Sequence, residues 1–356
     1  MSATTMRAVR LTEWQSDPVV SEIPVPEPRG SEVLVEVAAA GLCRSDIHIM
    51  SAKPGVYPYT LPFTLGHETA GRVAALGPGA SGVDVGDSVV VYSRWGCGTC
   101  WQCANGRDNA CARTQRGPHG GGLGRDGGLA EYLLVPTPRY LVPAPGLDPV
   151  RAAPLTDAAL TSYHAAKLSL HQLRPGSTAL VLGVGGLGHM AIQVLRAITP
   201  ARIVAVDVRS AALEMAREAG ADAVLSADGL TPDDIRAETG PDGAHVALDF
   251  VGNDATLALA AGTVAQGGDL TFVGRGGGEL RVAPGLIPYE CTVRMPTWGS
   301  LAELAEVVAL ARAGAIHSEG EVYGIDDAVT AYGKLRHGDV LGRAVVVLSR
   351  PEHEMN

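Results

Sequence analysis

The chain has 356 residues, 38 acidic and 28 basic, with a net charge of −10; this length favours two domains, and no basic stripe marks a nucleic-acid groove. Apolar residues make up 46% and charged residues 19%, a globular composition in which no apolar run reaches the roughly 20 residues needed to span a bilayer. Residues 1–6 lack the charged and apolar regions of a secretory signal, so a cytoplasmic location is expected.

The first part of the chain reads as an irregular β domain. Strand-like pieces at 7–11 and 32–37 are separated by Pro24, Pro26 and Pro28, and the pattern resumes at 73–76 and 88–91. Within it stand Gly41-Leu42-Cys43-Arg44-Ser45-Asp46-Ile47-His48 and Gly66-His67-Glu68. Thiolate and imidazole are both zinc donors, and a catalytic zinc keeps one position open. Taken alone, Cys43 also reads as a small buried hydrophobe and His67 as a satisfied polar residue.

The next signal is sharper. Cys97, Cys100, Cys103 and Cys111 follow a C-x2-C-x2-C-x7-C spacing, which closes a tetrahedron and predicts a structural zinc. An iron–sulfur cluster uses similar spacing, and a disulfide pair is the other alternative. The glycine-rich stretch 117–128 has no preceding strand and reads as a mobile loop near a cleft, with a strand resuming at 129–135. A linking helix is predicted over 161–170.

From residue 178 the pattern changes to alternating strands and helices. An apolar run, 178–182, ends on Gly183-Val184-Gly185-Gly186-Leu187-Gly188, and a helix follows to about 198. Gly183 suits the tight turn, Gly185 lets backbone approach a pyrophosphate, and Gly188 lets helix and sheet pack closely. The diphosphate then sits at the helix N-terminus. Asp207, nineteen residues after Gly188, closes a second buried strand and can accept both ribose hydroxyls, which favours NAD(H) over NADP(H); Arg209 softens that preference. Further strands at 222–225, 246–250 and 270–273, with helices at 211–219 and 254–265, complete a parallel sheet. Its carboxyl edge brings Val251, Gly274 and Arg275 beside the coenzyme. Cys291 reads as core. A helix at 301–313 and a last strand at 344–348 belong to a return to the first domain.

Together, Gly66-His67-Glu68, the Cys43/Ser45/His48 cluster, the four-cysteine lobe and the later glycine turn resemble the zinc-dependent medium-chain alcohol dehydrogenases. The resemblance covers nearly the whole chain and is strongest to bacterial NAD-dependent secondary-alcohol dehydrogenases. It implies an α/β architecture: a GroES-like β-rich catalytic domain (1–157 and 296–356) and a Rossmann doubly wound parallel-sheet NAD-binding domain (158–295), with the active site in the cleft between them. It also implies two zinc ions, one catalytic and one structural, and NAD(H).

By the same resemblance Cys43 and His67 are catalytic zinc ligands and Asp157, where many relatives carry Cys, is the third. Glu68 either approaches the metal transiently or supports a ligand, and Asp46 is an acceptor for His67. Ser45 and His48 form a proton relay, and Arg44 and Arg343 contact the pyrophosphate. Trp298 lines the substrate pocket with Tyr59, Trp95 and Leu123. The implied activity is reversible hydride transfer between NAD and a bulky or aromatic secondary alcohol. The alternatives are a polyol or sugar dehydrogenase on the same scaffold, and a catalytically silent zinc- and nucleotide-binding protein. The implied partners are a small-molecule alcohol or ketone and further copies of the chain, as a dimer or a tetramer.

Overall fold

A computed structural model describes residues 4–348. The chain divides into two compact units. One holds the residues up to Asp157, Ser300–Arg312 and those from Ser318 on; the other holds Ala158–Gly299 and Ala313–His317. Residues 313–317 rejoin the second unit because the Gln193 amide brackets His317, donating to its carbonyl and accepting its N–H, both at 2.9 Å.

The first unit is built on a mostly antiparallel seven-stranded sheet. Its order is Leu141–Pro143, Ser88–Val91, Glu68–Leu76, Val33–Leu42, Arg343–Val347 and Gly320–Gly324, with Tyr132–Val135 pairing alongside Val33–Leu42. Val33–Leu42 carries the alternation of Val, Leu and Ala that a buried central strand requires, and only Glu36 along it is exposed. The last strand, Arg343–Val347, pairs with it antiparallel, so the end of the chain closes a sheet begun near its start. A smaller sheet joins Val19–Pro24, Thr5–Leu11 and Phe63–Thr64.

The second unit is a six-stranded sheet in which every pairing is parallel, in the order Ala223–Ser226, Arg202–Asp207, Thr178–Leu182, Ala244–Asp249, Val264–Phe272 and Thr292–Arg294. Thr178–Leu182 is buried throughout, as expected of a strand covered on both faces. Leu180, Leu182, Val204, Val206 and Leu270 form a core with Ile235 and Ala260 from flanking helices, each large side chain contributing about 1.5–3 kcal/mol on burial. Cys291, expected in the core, packs against this cluster while partly buried.

The sequence predictions locate most of these elements within a few residues. They miss the helices Arg44–Met50, Pro232–Thr239 and Ala328–His337. The second of these carries a legible start: Thr231 caps the Asp234 amide, and the Asp234 carboxylate accepts the Thr231 amide in return.

Candidate metal and coenzyme sites

Cys43 sits where the Val33–Leu42 strand gives way to the Arg44–Met50 helix, as the N-cap residue with extended backbone (φ −116°, ψ 149°). Asp46, in the first turn, accepts the Cys43 amide at 3.1 Å, satisfying a donor the helix cannot. His67 follows the turn at Gly66, whose φ is 92°, and immediately precedes the strand Glu68–Leu76. Asp157 ends the 3-10 turn Ala153–Thr156.

These three stretches converge. Cys43 Sγ lies 3.3 Å from Asp157 Oδ2, and His67 Nε2 lies 3.5 Å from the same oxygen. All three side chains are buried, and their ligand atoms lie within 4.8 Å of one another. Ser45 Oγ is 3.2 Å from His67 Nε2, on the metal-facing side of the ring. The other ring nitrogen, Nδ1, faces Asp46 Oδ1 at 3.0 Å. Burial opposes a charge on His67, but the Asp46 and Asp157 carboxylates and the Cys43 sulfur outweigh it and raise its pKa well above the ordinary imidazole value. A buried cluster so rich in negative charge suits a divalent cation. Thiolate, imidazole and carboxylate form a three-residue donor set for zinc that leaves a position open.

Behind the cluster, Glu68 is fully buried and its carboxylate accepts from Arg343, with Nε to Oε2 at 2.9 Å and Nη2 to Oε1. Burial is the largest influence on Glu68 and lifts its pKa to about 7, against the pull of Arg343. Arg343 was expected at the coenzyme pyrophosphate. In the structure its guanidinium is 4% exposed, paired with Glu68, and 3.4 Å from Asp157 Oδ2. A charge so enclosed is held by the carboxylates around it. His48 and Arg44 lie on the helix that starts after Cys43, His48 half-buried and Arg44 exposed.

The 117–128 stretch is corrected, from mobile loop to tightly packed wall. Gly127 and Gly128 donate to the carbonyls of Thr64 and Gly66 at 2.9 and 2.7 Å. A Cβ on Gly122 would lie 2.4 Å from the Gly66 carbonyl and 2.8 Å from the His67 amide, so glycine there permits close approach to the metal-ligand backbone. The wall presents Leu123 and is tied to Trp95, whose amide donates to the His119 carbonyl at 3.0 Å. Tyr59 hydrogen-bonds His119 Nδ1 through its hydroxyl and meets Phe63 edge-on. His119 is a site neighbour that sequence reading passed over. Trp298 is buried in the second unit with φ at 56°.

In the four-cysteine lobe the sulfurs also lie within 4.8 Å of one another. Cys100 and Cys111 sulfurs are 3.9 Å apart, far beyond the roughly 2.05 Å of a disulfide. They match instead the roughly 3.8 Å edge of a tetrahedron with about 2.3 Å zinc–sulfur bonds. Amide donation lowers the Cys97 pKa to about 6, led by the Thr99 N–H, and lowers Cys100 in the same direction.

In the second unit the glycine turn has the geometry a dinucleotide motif requires. Gly183 has φ 87°, and a Cβ on Gly188 would fall 1.9 Å from the Gly183 carbonyl. No side chain caps the first turn of the Gly188–Ile198 helix, and a Cβ at Gly185 would meet nothing within 4 Å. Gly186 and Leu187 complete the approach to that helix. Val251 lies over Gly183, Gly274 packs against Val251, and Arg275 is exposed. Asp207 is 8% exposed; its Oδ2 accepts the Val184 amide at 2.8 Å and its Oδ1 the Arg209 amide at 2.9 Å.

A β-rich unit holding two separate zinc donor sets, accompanied by a parallel-sheet dinucleotide unit, defines a zinc-binding medium-chain dehydrogenase. Residues 29–146 match the alcohol dehydrogenase GroES-like domain and residues 186–313 match the zinc-binding dehydrogenase domain. The chain is 36% identical to an NAD-dependent alcohol dehydrogenase of Sulfurisphaera tokodaii, over 96% of this chain and all of that one. It is 34% identical to a D-arabinose 1-dehydrogenase (NADP(+)) of Saccharolobus solfataricus, over 96% and 97%. The solved alcohol dehydrogenase of Aeropyrum pernix superimposes with a TM-score of 0.88 at 33% identity, covering 96% of this chain and 99% of that one. The protein belongs to the zinc-dependent alcohol dehydrogenase family, and its fold and its zinc and NAD(H) chemistry are those of that family.

Proposed function

We propose that this protein catalyses reversible hydride transfer between a secondary alcohol, or its ketone, and NAD. The observation that carries this reading is the buried convergence of Cys43, His67 and Asp157 with the Ser45 hydroxyl beside it. Cys43, His67 and Asp157 hold the catalytic zinc, while Cys97, Cys100, Cys103 and Cys111 hold the structural one. When bound, zinc supplies Lewis-acid polarisation of the substrate oxygen and nicotinamide supplies the hydride acceptor. The chain's own residues position and deprotonate. Ser45, both donor and acceptor, takes the alcohol proton, and His48 passes it on. The uncapped helix after Gly185-Gly186-Leu187-Gly188 receives the coenzyme diphosphate. Asp207 orients the ribose and repels a 2′-phosphate. Arg44, Val251, Gly274 and Arg275 complete the coenzyme contacts, with Arg209 beside Asp207.

Tyr59, Trp95 and Leu123 in the first unit supply a largely aromatic substrate wall, which favours a bulky or aromatic alcohol, and Trp298 in the second unit is read as a further substrate contact. A sugar or polyol is the second reading, supported by the likeness to the arabinose dehydrogenase and by the polar His119 in that wall. Turnover with NAD+ and NADP+ on a panel of secondary, aromatic and polyol substrates tests both readings. Aromatic secondary alcohols with NAD+ should give the highest kcat/KM. No turnover on any of them by a protein holding both zincs would refute the enzymatic reading.

Among the described residues no helix is long and apolar enough to cross a membrane. All six cysteines are free, which suits the reducing cytoplasm. We infer a homo-oligomer: in the second unit Val282, Leu286, Tyr289 and Met295 are exposed next to the edge strand Thr292–Arg294. Light scattering on the purified enzyme decides between dimer and tetramer, and a monomer would refute the inference.

A further inference from the structure

Tyr332 has no part in the chemistry described so far, yet it touches the metal centre through one intermediary. It lies on the Ala328–His337 helix, 286 residues from Asp46 in sequence, and is fully buried. Its hydroxyl donates to Asp46 Oδ2 at 2.9 Å. That oxygen also accepts the Cys43 amide at 3.1 Å, while the other carboxylate oxygen lies 3.0 Å from His67 Nδ1. A single carboxylate thus fixes two metal donors: the backbone that carries the Cys43 thiolate and the imidazole of His67. Asp46 itself sits, fully buried, on a seven-residue helix. The phenol is the one side-chain donor to Asp46 Oδ2 among the hydrogen bonds described, and it comes from a longer helix anchored by buried Ala328 and Ala331.

We propose that Tyr332 is a positioning residue for the catalytic metal, clamping the Asp46 carboxylate so that Cys43 and His67 meet a zinc ion in fixed orientation. The inference rests on Cys43, His67 and Asp157 holding that zinc. Partners that orient metal ligands are worth about 10–100-fold in metal affinity or activity. Tyr332→Phe removes only the hydroxyl.

The experiment uses the full-length enzyme with both zincs. Zinc release to an excess of chromogenic chelator is timed for the parent and for Tyr332→Phe, and cobalt(II) is exchanged into the catalytic site for absorption spectra. The variant should lose one zinc about tenfold faster, with a shifted cobalt ligand-field spectrum, while zinc at the four-cysteine lobe leaves at the parental rate. Incorporating 4-aminophenylalanine at position 332, a weaker donor than the phenol, should bring the release rate partway back, between the Phe variant and the parent. A merely structural tyrosine would lower thermal stability and leave the cobalt spectrum unmoved. Equal release rates with unchanged spectra overturn the proposal, as does an aminophenylalanine variant that behaves like Phe. If Tyr332→Phe does not fold, the parent is compared with the aminophenylalanine variant, whose weaker donor should give an intermediate rate; no difference in rate or spectrum overturns the clamp. A parent enzyme that retains only the lobe zinc would instead overturn the underlying metal assignment.

Discussion

Replacing Arg343 by Met tests where its charge is used. The pair it forms with Glu68 is nearly sealed from water, with 4% of the arginine side chain and none of the glutamate exposed. The guanidinium meets the carboxylate at two points, Nε to Oε2 at 2.9 Å and Nη2 to Oε1. Deleting one partner of such a pair costs about 3–5 kcal/mol, because an uncompensated charge stays buried. In a domain of about 150–250 residues, each kcal/mol moves the melting temperature by about 2–4 °C, so Arg343→Met should melt roughly 6–20 °C below the parent. Glu68 relieves part of that cost by taking a proton. Burial already raises its pKa to about 7, and loss of the cation raises it further. A carboxyl whose folded pKa lies above its unfolded one stabilises fully below the unfolded value, and that contribution is lost as pH rises through the folded value. The deficit of Arg343→Met should therefore grow between about pH 5 and pH 9. Scanning calorimetry of Arg343→Met, Glu68→Gln and the double variant at both ends of that range measures it. The double variant should recover at least about 2 kcal/mol relative to the sum of the singles. A single variant melting within about 3 °C of the parent, with a raised KM for NAD, would refute the buried-pair argument and return Arg343 to the pyrophosphate.

Three further outcomes are expected. Asp157→Ala should hold only one zinc per chain by metal analysis and lose activity by at least about 100-fold; two tightly bound zincs and full turnover would remove Asp157 from the ligand set. Asp207→Gly should shift the kcat/KM ratio toward NADP(H) by about 10–100-fold, the equivalent of one or two charge-assisted hydrogen bonds. Since Asp207 also holds the Val184 amide, total efficiency should fall as well, and an unchanged coenzyme ratio would sink the assignment. In the lobe, the Cys97 pKa is lowered to about 6, so its thiolate form favours the fold fully above the unfolded thiol pKa and that advantage is lost as pH falls through the lowered value. Zinc retained after dialysis should accordingly decline below about pH 6, together with the near-ultraviolet signal of Trp95 and Trp101; a lobe that keeps its signal after verified zinc loss would count against a structural ion.

How much of this could be read from the sequence depended on whether a residue's role is local. The glycine turn was legible because its spacing, its flanking strands and Asp207 all lie within one βαβ unit, and the structure gives Gly183 and Gly188 the conformations that spacing implies. The zinc donors were legible as residue types, since Cys, His and Asp announce their chemistry. The Arg343–Glu68 pair was not legible, because an arginine's sequence neighbourhood does not reveal a carboxylate 275 positions away. The 117–128 glycines were read as mobility, whereas they permit close packing against Gly66 and His67, a reason that only tertiary contact supplies. Tyr332 was invisible for the same cause: on an alanine-containing helix a tyrosine looks like ordinary filling.

The strand Arg343–Val347 pairs against Val33–Leu42 near the middle of the first unit's sheet, and this has a consequence during synthesis. Until the ribosome has delivered that strand, the Ala39–Leu42 part of the central strand stands open on one side, while the intervening coenzyme unit is almost entirely contiguous and can fold as soon as it emerges. The nascent protein therefore waits with one unit finished and the other exposing a template for mispairing. Deleting the strand Arg343–Val347 would therefore harm the first unit more than a cut in a surface loop.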